Sequence, residues 1–300
     1  MTFKQLQTKP IVWLYAAGVL LLLVAGWFWW AKVTTDPKYA FNAMLRQSLS
    51  TNGVTLQATQ DNNGTTAAQT MQYWLGGQSM SHSVTSLSQT GTRVVDEMIG
   101  TPEADYTRYK AITTDQKSQS GKPLNLSKVV GVWAKNKGSG SGGLLSQAIL
   151  GTSLPLGGIV VPMGDLTPSQ RDELLTAIAK NKVYQASYKN VQRKTVHGRL
   201  QYTYNVTVKP MEYVRLLKNF AKDVGLHDLD QVAAESYNGQ PDLKLRFTVD
   251  VHANHLVKVA LAEGTYSQSY TSYDQPVTVN IPKKTVTSAQ LQTLLQQMQQ

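Results

Sequence analysis

His252-Ala253-Asn254-His255 is the one stretch of this chain whose spacing suggests metal chemistry. Two imidazoles three residues apart at a hairpin can hold zinc when a third ligand is brought to them. Asp250 is the nearest acid along the chain, and spacing fixes no other ligand, so the expectation is a pair of solvated turn histidines and no metal. His82, His197 and His227 stand alone. Asp96-Glu97 and Asp172-Glu173 are adjacent acids. Neighbours on a strand or helix do not share a face, so neither pair is set for acid–base work. The chain has no G-x-S-x-G, no H-E-x-x-H, no phosphate-binding glycine loop and no EF-hand loop. It also contains no cysteine, which excludes disulfides, thiolate metal sites, cysteine nucleophiles and a lipidated cysteine. The sequence therefore points to a non-enzyme without a cofactor.

What remains to do work is apolar and aromatic surface. Ile11 to Trp30 reads IVWLYAAGVLLLLVAGWFWW, with no charge between Lys9 and Lys32. At ~1.5 Å rise per residue such a run spans the ~30 Å hydrocarbon core of a bilayer. Trp27, Phe28, Trp29 and Trp30 form one interfacial aromatic belt, and Trp13 and Tyr15 the other. The run is read as a retained signal anchor over 11–33. Residues 1–10 form a cytoplasmic tail and the rest lies outside the cytoplasm, with the bilayer as a partner. The net charge is +10. Lys4, Lys9 and Lys32 carry three of those charges, so the remainder is basic and would be drawn towards anionic headgroups. The other Lys and Arg residues form no basic helix, so nucleic acid is not expected as a partner; a protein partner is left open.

Beyond the anchor, Asp36-Pro37 suits a helix start, with Phe41, Met44, Leu45 and Leu49 at helical spacing. This predicts a stalk helix within 34–53 that packs onto the domain, which extends over 54–300. Strands are predicted at 54–60, 69–75, 83–87, 92–99, 106–112 and 129–134, with a turn at Asp61-Asn62-Asn63-Gly64. Thr167-Pro168-Ser169-Gln170 reads as a capping box opening a helix to about Asn181. A strand over 183–189 follows. Then Leu200, Tyr202, Tyr204, Val206 and Val208 alternate with polar residues, as do Leu243, Leu245, Phe247, Val249 and Val251. Between them Pro210 opens an amphipathic helix, and 229–237 reads as a weaker one. Strands at 256–261, 266–273 and 277–281 and a tail helix over 288–300 complete the pattern. One wet and one dry face per strand implies an antiparallel sheet with helices on its dry face. The fold class is α+β: an N-terminal transmembrane helix, then a curved antiparallel sheet, a half-barrel, packed on helices.

Two features bear on binding. From Gly138 to Gly164 there is no charged residue, yet the stretch holds Leu144, Leu145, Ile149, Leu150, Leu156, Ile159 and Val161 among glycines, serines and prolines. Glycine and proline argue against a second span. A charge-free loop this long is unusual in a water-soluble domain. All fourteen tyrosines except Tyr15 follow the anchor, against three phenylalanines, Phe41, Phe220 and Phe247. That bias suits half-wet positions such as a cavity wall or a sheet edge.

The stretches Leu200–Val208, Leu243–Asp250, His255–Val259 and Tyr273–Pro282, the last containing QPVTVNIP before a tail helix, resemble the LolA-type carriers and the LppX/LprG lipoproteins. The resemblance covers roughly 183–295. It implies an unclosed β-barrel capped by helices, with an apolar cavity for acyl chains. On that basis Tyr202, Tyr204 and Phe247 would line the cavity. Leu144, Leu145, Ile149, Leu150, Leu156, Ile159 and Val161 would form a lid or mouth. The implied role is a membrane-anchored extracytoplasmic domain binding a lipid or other apolar ligand. The alternative is a non-catalytic cell-surface scaffold or sensor for an envelope protein or polymer.

Overall fold

A computed structural model describes residues 35–62, 64–76, 79–137, 143–145, 147, 159–227 and 229–299. The apolar run expected as the anchor lies outside these residues. Among the described residues no helix is long and apolar enough to cross a membrane.

Helix α1 (Pro37–Ser48) starts where Asp36 Oδ1 accepts the Tyr39 N–H at 2.9 Å. Five strands then meander through antiparallel hairpins: β1 (Gly53–Asn62), β2 (Thr65–Trp74), β3 (Met80–Gln89), β4 (Thr92–Gly100) and β5 (Ala104–Thr114). Strand β6 (Ala134–Lys137) closes that half. Helix α2 (Pro168–Lys180) carries the expected Thr167–Gln170 capping box. The second half runs β7 (Tyr184–Ala186), β8 (Gln192–Val196), β9 (Arg199–Val208), α3 (Pro210–Asp223), β10 (Leu243–Asp250), β11 (His255–Leu261) and β12 (Ser267–Thr271). The chain ends in β13 (Val286–Thr287) and α4 (Ser288–Gln299). One sheet joins the halves in the order β13-β6-β5-β4-β3-β2-β1-β12-β11-β10-β9-β7, with β8 also on β9. The ladders are antiparallel except β13 on β6, so the large, open, curved sheet is mixed.

The alternation does what was expected of it. Tyr202, Tyr204, Val206 and Val208 of β9 and Leu245, Phe247 and Val249 of β10 are all buried on one face. Helix α1 packs on β10 and β11. Its Phe41 ring meets Tyr204 edge-on at 5.2 Å between centroids and stacks near Phe247 at 6.2 Å. The helix expected as a stalk is thus part of the main core, with Ala40, Phe41, Met44, Leu45 and Leu49 almost inaccessible. Helix α3 adds Tyr213, Leu216, Leu217 and Phe220.

A strap without regular structure runs through this core. Ile159, Val160, Val161 and Met163 are each at most 1% exposed. A buried irregular backbone must find partners for its polar groups, and tyrosines supply them. Tyr213 Oη donates to Ile159 O at 3.0 Å, Tyr184 Oη to Val160 O at 2.7 Å and Tyr73 Oη to Met163 O at 3.3 Å. Three of the tyrosines thus use interior hydroxyls to serve a buried strap, while Tyr109, Tyr188, Tyr237, Tyr266 and Tyr273 are part-exposed. These three residues do not sit at half-wet positions. Burial pushes the phenols of Tyr73, Tyr184 and Tyr213 upward.

Three expectations need correction. The ladder expected over 129–134 starts only at Ala134, because Gly131 sits at φ +86°, which no strand accommodates. The helix expected over 229–237 is a single 3-10 turn, Ala234–Tyr237. Its two buried residues, Leu229 and Ala234, are five apart and share no helical face. The strand expected over 277–281 is irregular, since Pro276 and Pro282 remove ladder donors. Only Val279 of that stretch packs, against Ile99 and Tyr106. Conversely, β8 was not expected, because its polar residues carry no apolar alternation.

Candidate functional site

Helices α1 and α2 lie antiparallel. Arg46 near the end of α1 pairs with Asp172 near the start of α2, Nη1 to Oδ1 at 2.8 Å. Both side chains are more than half exposed, so the pair marks geometry and adds little stability. Edge strand β7 closes the third side. Between them runs an open groove of about 820 Å³. Phe41, Leu45, Leu175, Ile178, Ala179 and Tyr184 make its apolar floor. The end away from Arg46 and Asp172 carries Lys38 and Lys182, both exposed, with Tyr39 and Tyr188 beside them. Tyr188 is pushed upward by burial and then by the charge of Asp36. The volume lies in the range of small-molecule sites, and an apolar lining with a few polar groups at one end is their usual composition.

A second cluster sits on β3, β4 and β5. Glu97 Oε1 meets His82 Nε2 at 2.9 Å, and Glu97 Oε2 accepts from Arg108 Nε at 2.7 Å. The Arg108 guanidinium lies over the Trp133 ring, 4.5 Å from its centroid. Burial alone would raise the Glu97 carboxyl. The His82 and Arg108 hydrogen bonds and the Arg108 and Lys110 charges outweigh burial and hold it low. Glu97, His82 and Arg108 are thus paired with one another, which is the pattern of a structural ion cluster.

The histidine pair does not assemble a metal site. Asp250 Oδ1 accepts the His252 and Ala253 N–H groups, both at 3.0 Å, and so shapes the turn. The His255 ring stacks on Tyr273 at 3.9 Å, and burial pushes its imidazole downward. Among the described residues no group of three or more His, Cys, Asp or Glu is placed to hold a metal ion.

The residues named from sequence fall as follows. Tyr202, Tyr204 and Phe247 lie on one face and are at most 1% exposed, packed under α1 and not beside open space. Tyr202 Oη donates to Thr35 O at 2.7 Å and Tyr204 Oη to Pro37 O at 2.9 Å. Ile159 and Val161 belong to the buried strap, so this part of the expected lid is core. Leu144 is half-buried, its N–H donating to Asp105 Oδ1 at 3.1 Å, and Leu145 is buried. Ile149, Leu150 and Leu156 lie outside the described residues. The groove is not legible in the sequence, because residues such as Phe41 and Leu45 show only the spacing of a helix's buried stripe. Only the pairing of α1 with α2 across a long sequence separation reveals that the space between them is unfilled.

No family model matches the chain, and no curated protein matches it. Among solved structures, the crystal structure of LprF from Mycobacterium bovis is similar at 14% identity, with a TM-score of 0.39. The match covers 80% of this chain and 96% of that one. At that score the likeness carries no argument about ligand or role.

Proposed function

We propose that this protein is a membrane-anchored envelope protein whose folded part binds an apolar or amphiphilic molecule, such as a lipid, in the groove between α1 and α2. The anchor is the apolar run within 11–33. Residues 1–10 are cytoplasmic, and the folded part lies on the other side of the membrane. One observation carries the binding reading: an open space of about 820 Å³ with an apolar floor and two exposed lysines at one end. The resemblance of 183–295 to the LolA and LppX/LprG group is consistent with it. The region under the sheet that the resemblance marks for acyl chains is occupied here by Phe41, the strap and the tyrosines. The reading therefore places the ligand at the flank of the core and not beneath the sheet.

Photo-crosslinking in membranes tests this with the full chain. A fatty acid carrying a photoreactive group should label peptides of α1 and α2, and excess unlabelled oleate should compete. Ala179→Trp, which fills the groove from an exposed helix position, should remove that labelling. Labelling confined to 11–30 would overturn the groove as a binding site.

The filled interior favours one second reading, a surface scaffold or sensor whose partner is an envelope protein or polymer. It predicts that Ala179→Trp leaves function intact and that a stable partner is captured from the envelope.

A further inference from the structure

Residues 174–211 contain no Asp or Glu and seven Lys or Arg. The chain's net charge is +10, so most of its excess resides in this one stretch. The fold gathers the stretch at one sheet edge: the end of α2, then β7, β8 and β9. Lys180, Lys182, Lys189, Arg193 and Lys194 are all exposed there. Charge that served solubility alone would be interspersed with acids over the surface; here it is segregated.

The same edge lies where the chain enters the fold. Tyr202 of β9 donates its hydroxyl to Thr35 O, and Arg193 of β8 stacks its guanidinium 5.2 Å from the centre of that same ring. One tyrosine thus separates a basic side chain from Thr35. Thr35 is two residues beyond Val33, a reach of at most ~7 Å. Lys38 follows within one helical turn and shares the groove end with Lys182. Carboxylates near the edge include Asp36 and Asp250, besides Glu173, Glu212 and Asp242 at its margins. Asp36 is committed to the Tyr39 N–H, and Asp250 faces Arg199 at 3.5 Å.

We propose that this basic edge is a bilayer-facing surface. It presses the folded part onto anionic lipid headgroups next to the anchor and holds the lysine end of the groove at headgroup level. The proposal rests on the anchor reading above and not on what the groove binds. Its partner is an anionic membrane surface. A soluble polyanion is the competing source of the same charge chemistry.

Amine footprinting of the full chain in lipid nanodiscs distinguishes these. Lys182, Lys189 and Lys194 should acetylate about threefold or more slowly on discs containing phosphatidylglycerol than on neutral phosphatidylcholine discs. Lys117 and Lys122, in a distant loop, should not change. The protection should vanish in about 0.5 M salt, where screening is nearly complete. Arg193→Gln with Lys194→Gln, both exposed, should return Lys182 and Lys189 towards their neutral-disc rates. Equal rates on both discs, for a chain that stays on neutral discs through a salt wash, would overturn the surface and leave the anchor standing. A chain lost in that wash would overturn the anchor and the surface with it. Protection by single-stranded DNA or dextran sulfate, with none on anionic discs, would also overturn the proposal.

Discussion

The Tyr184 hydroxyl donates to the Val160 carbonyl oxygen at 2.7 Å and ties an edge strand to a strap that has no regular structure of its own. A buried carbonyl left without a donor costs about 1–3 kcal/mol. Tyr184→Phe should therefore lower the unfolding free energy by roughly that amount, as should Tyr213→Phe at Ile159. Urea unfolding measures both. A loss under about 0.5 kcal/mol for each would mean that water replaces the hydroxyls and that the strap is not sealed.

Phe41 separates a stalk from a core helix. Its ring is 1% exposed and touches Tyr204 and Phe247. Phe41→Ala should cost about 3–5 kcal/mol through lost burial and the cavity left behind. A stalk residue would cost almost nothing. Thermal unfolding with unchanged midpoint would place α1 outside the cooperative unit.

Alkali should act through the buried phenols. Burial holds Tyr73, Tyr184 and Tyr270 well above their ordinary value of 10.0. Above pH 10 the unfolded chain sheds these protons while the fold keeps them. The stabilisation is thus complete below pH 10 and is lost as pH rises towards the folded values. Absorbance at 295 nm should show phenolate appearing with unfolding in one step. Early, non-cooperative titration of these tyrosines would contradict their sealing. Tyr266, pushed up to about 12, belongs to the same late group.

Acid should act through Glu97, which the fold holds below its ordinary value of 4.5. A depressed carboxyl stabilises above its unfolded value and loses that contribution as pH falls through the folded one. Glu97→Gln should cost about 1–3 kcal/mol at pH 7, since Arg108 keeps part of its solvent and its Trp133 contact. The gap between wild type and variant should narrow as pH drops below 4.5. A gap equal at pH 7 and pH 3.5 would show that the carboxylate charge contributes nothing.

Much of the architecture was legible along the chain, and the reasons are local. Strict alternation from Leu200 to Val208 and from Leu243 to Asp250 leaves a strand only one way to bury its apolar side. Thr167, Pro168 and Gln170 specify a helix start by hydrogen bonds within four residues. The absence of cysteine was legible at once and excludes thiol chemistry. Tertiary structure decided what those elements enclose. Phe41 reads identically on a stalk and in a core, and only the approach of β9 and β10 settles it. Ile159 to Met163 reads as a greasy loop. Its burial depends on tyrosines 24 to 90 residues away, whose hydroxyls pair its carbonyls. The groove is likewise a property of two helices meeting, since an unfilled space between distant residues has no signature in either.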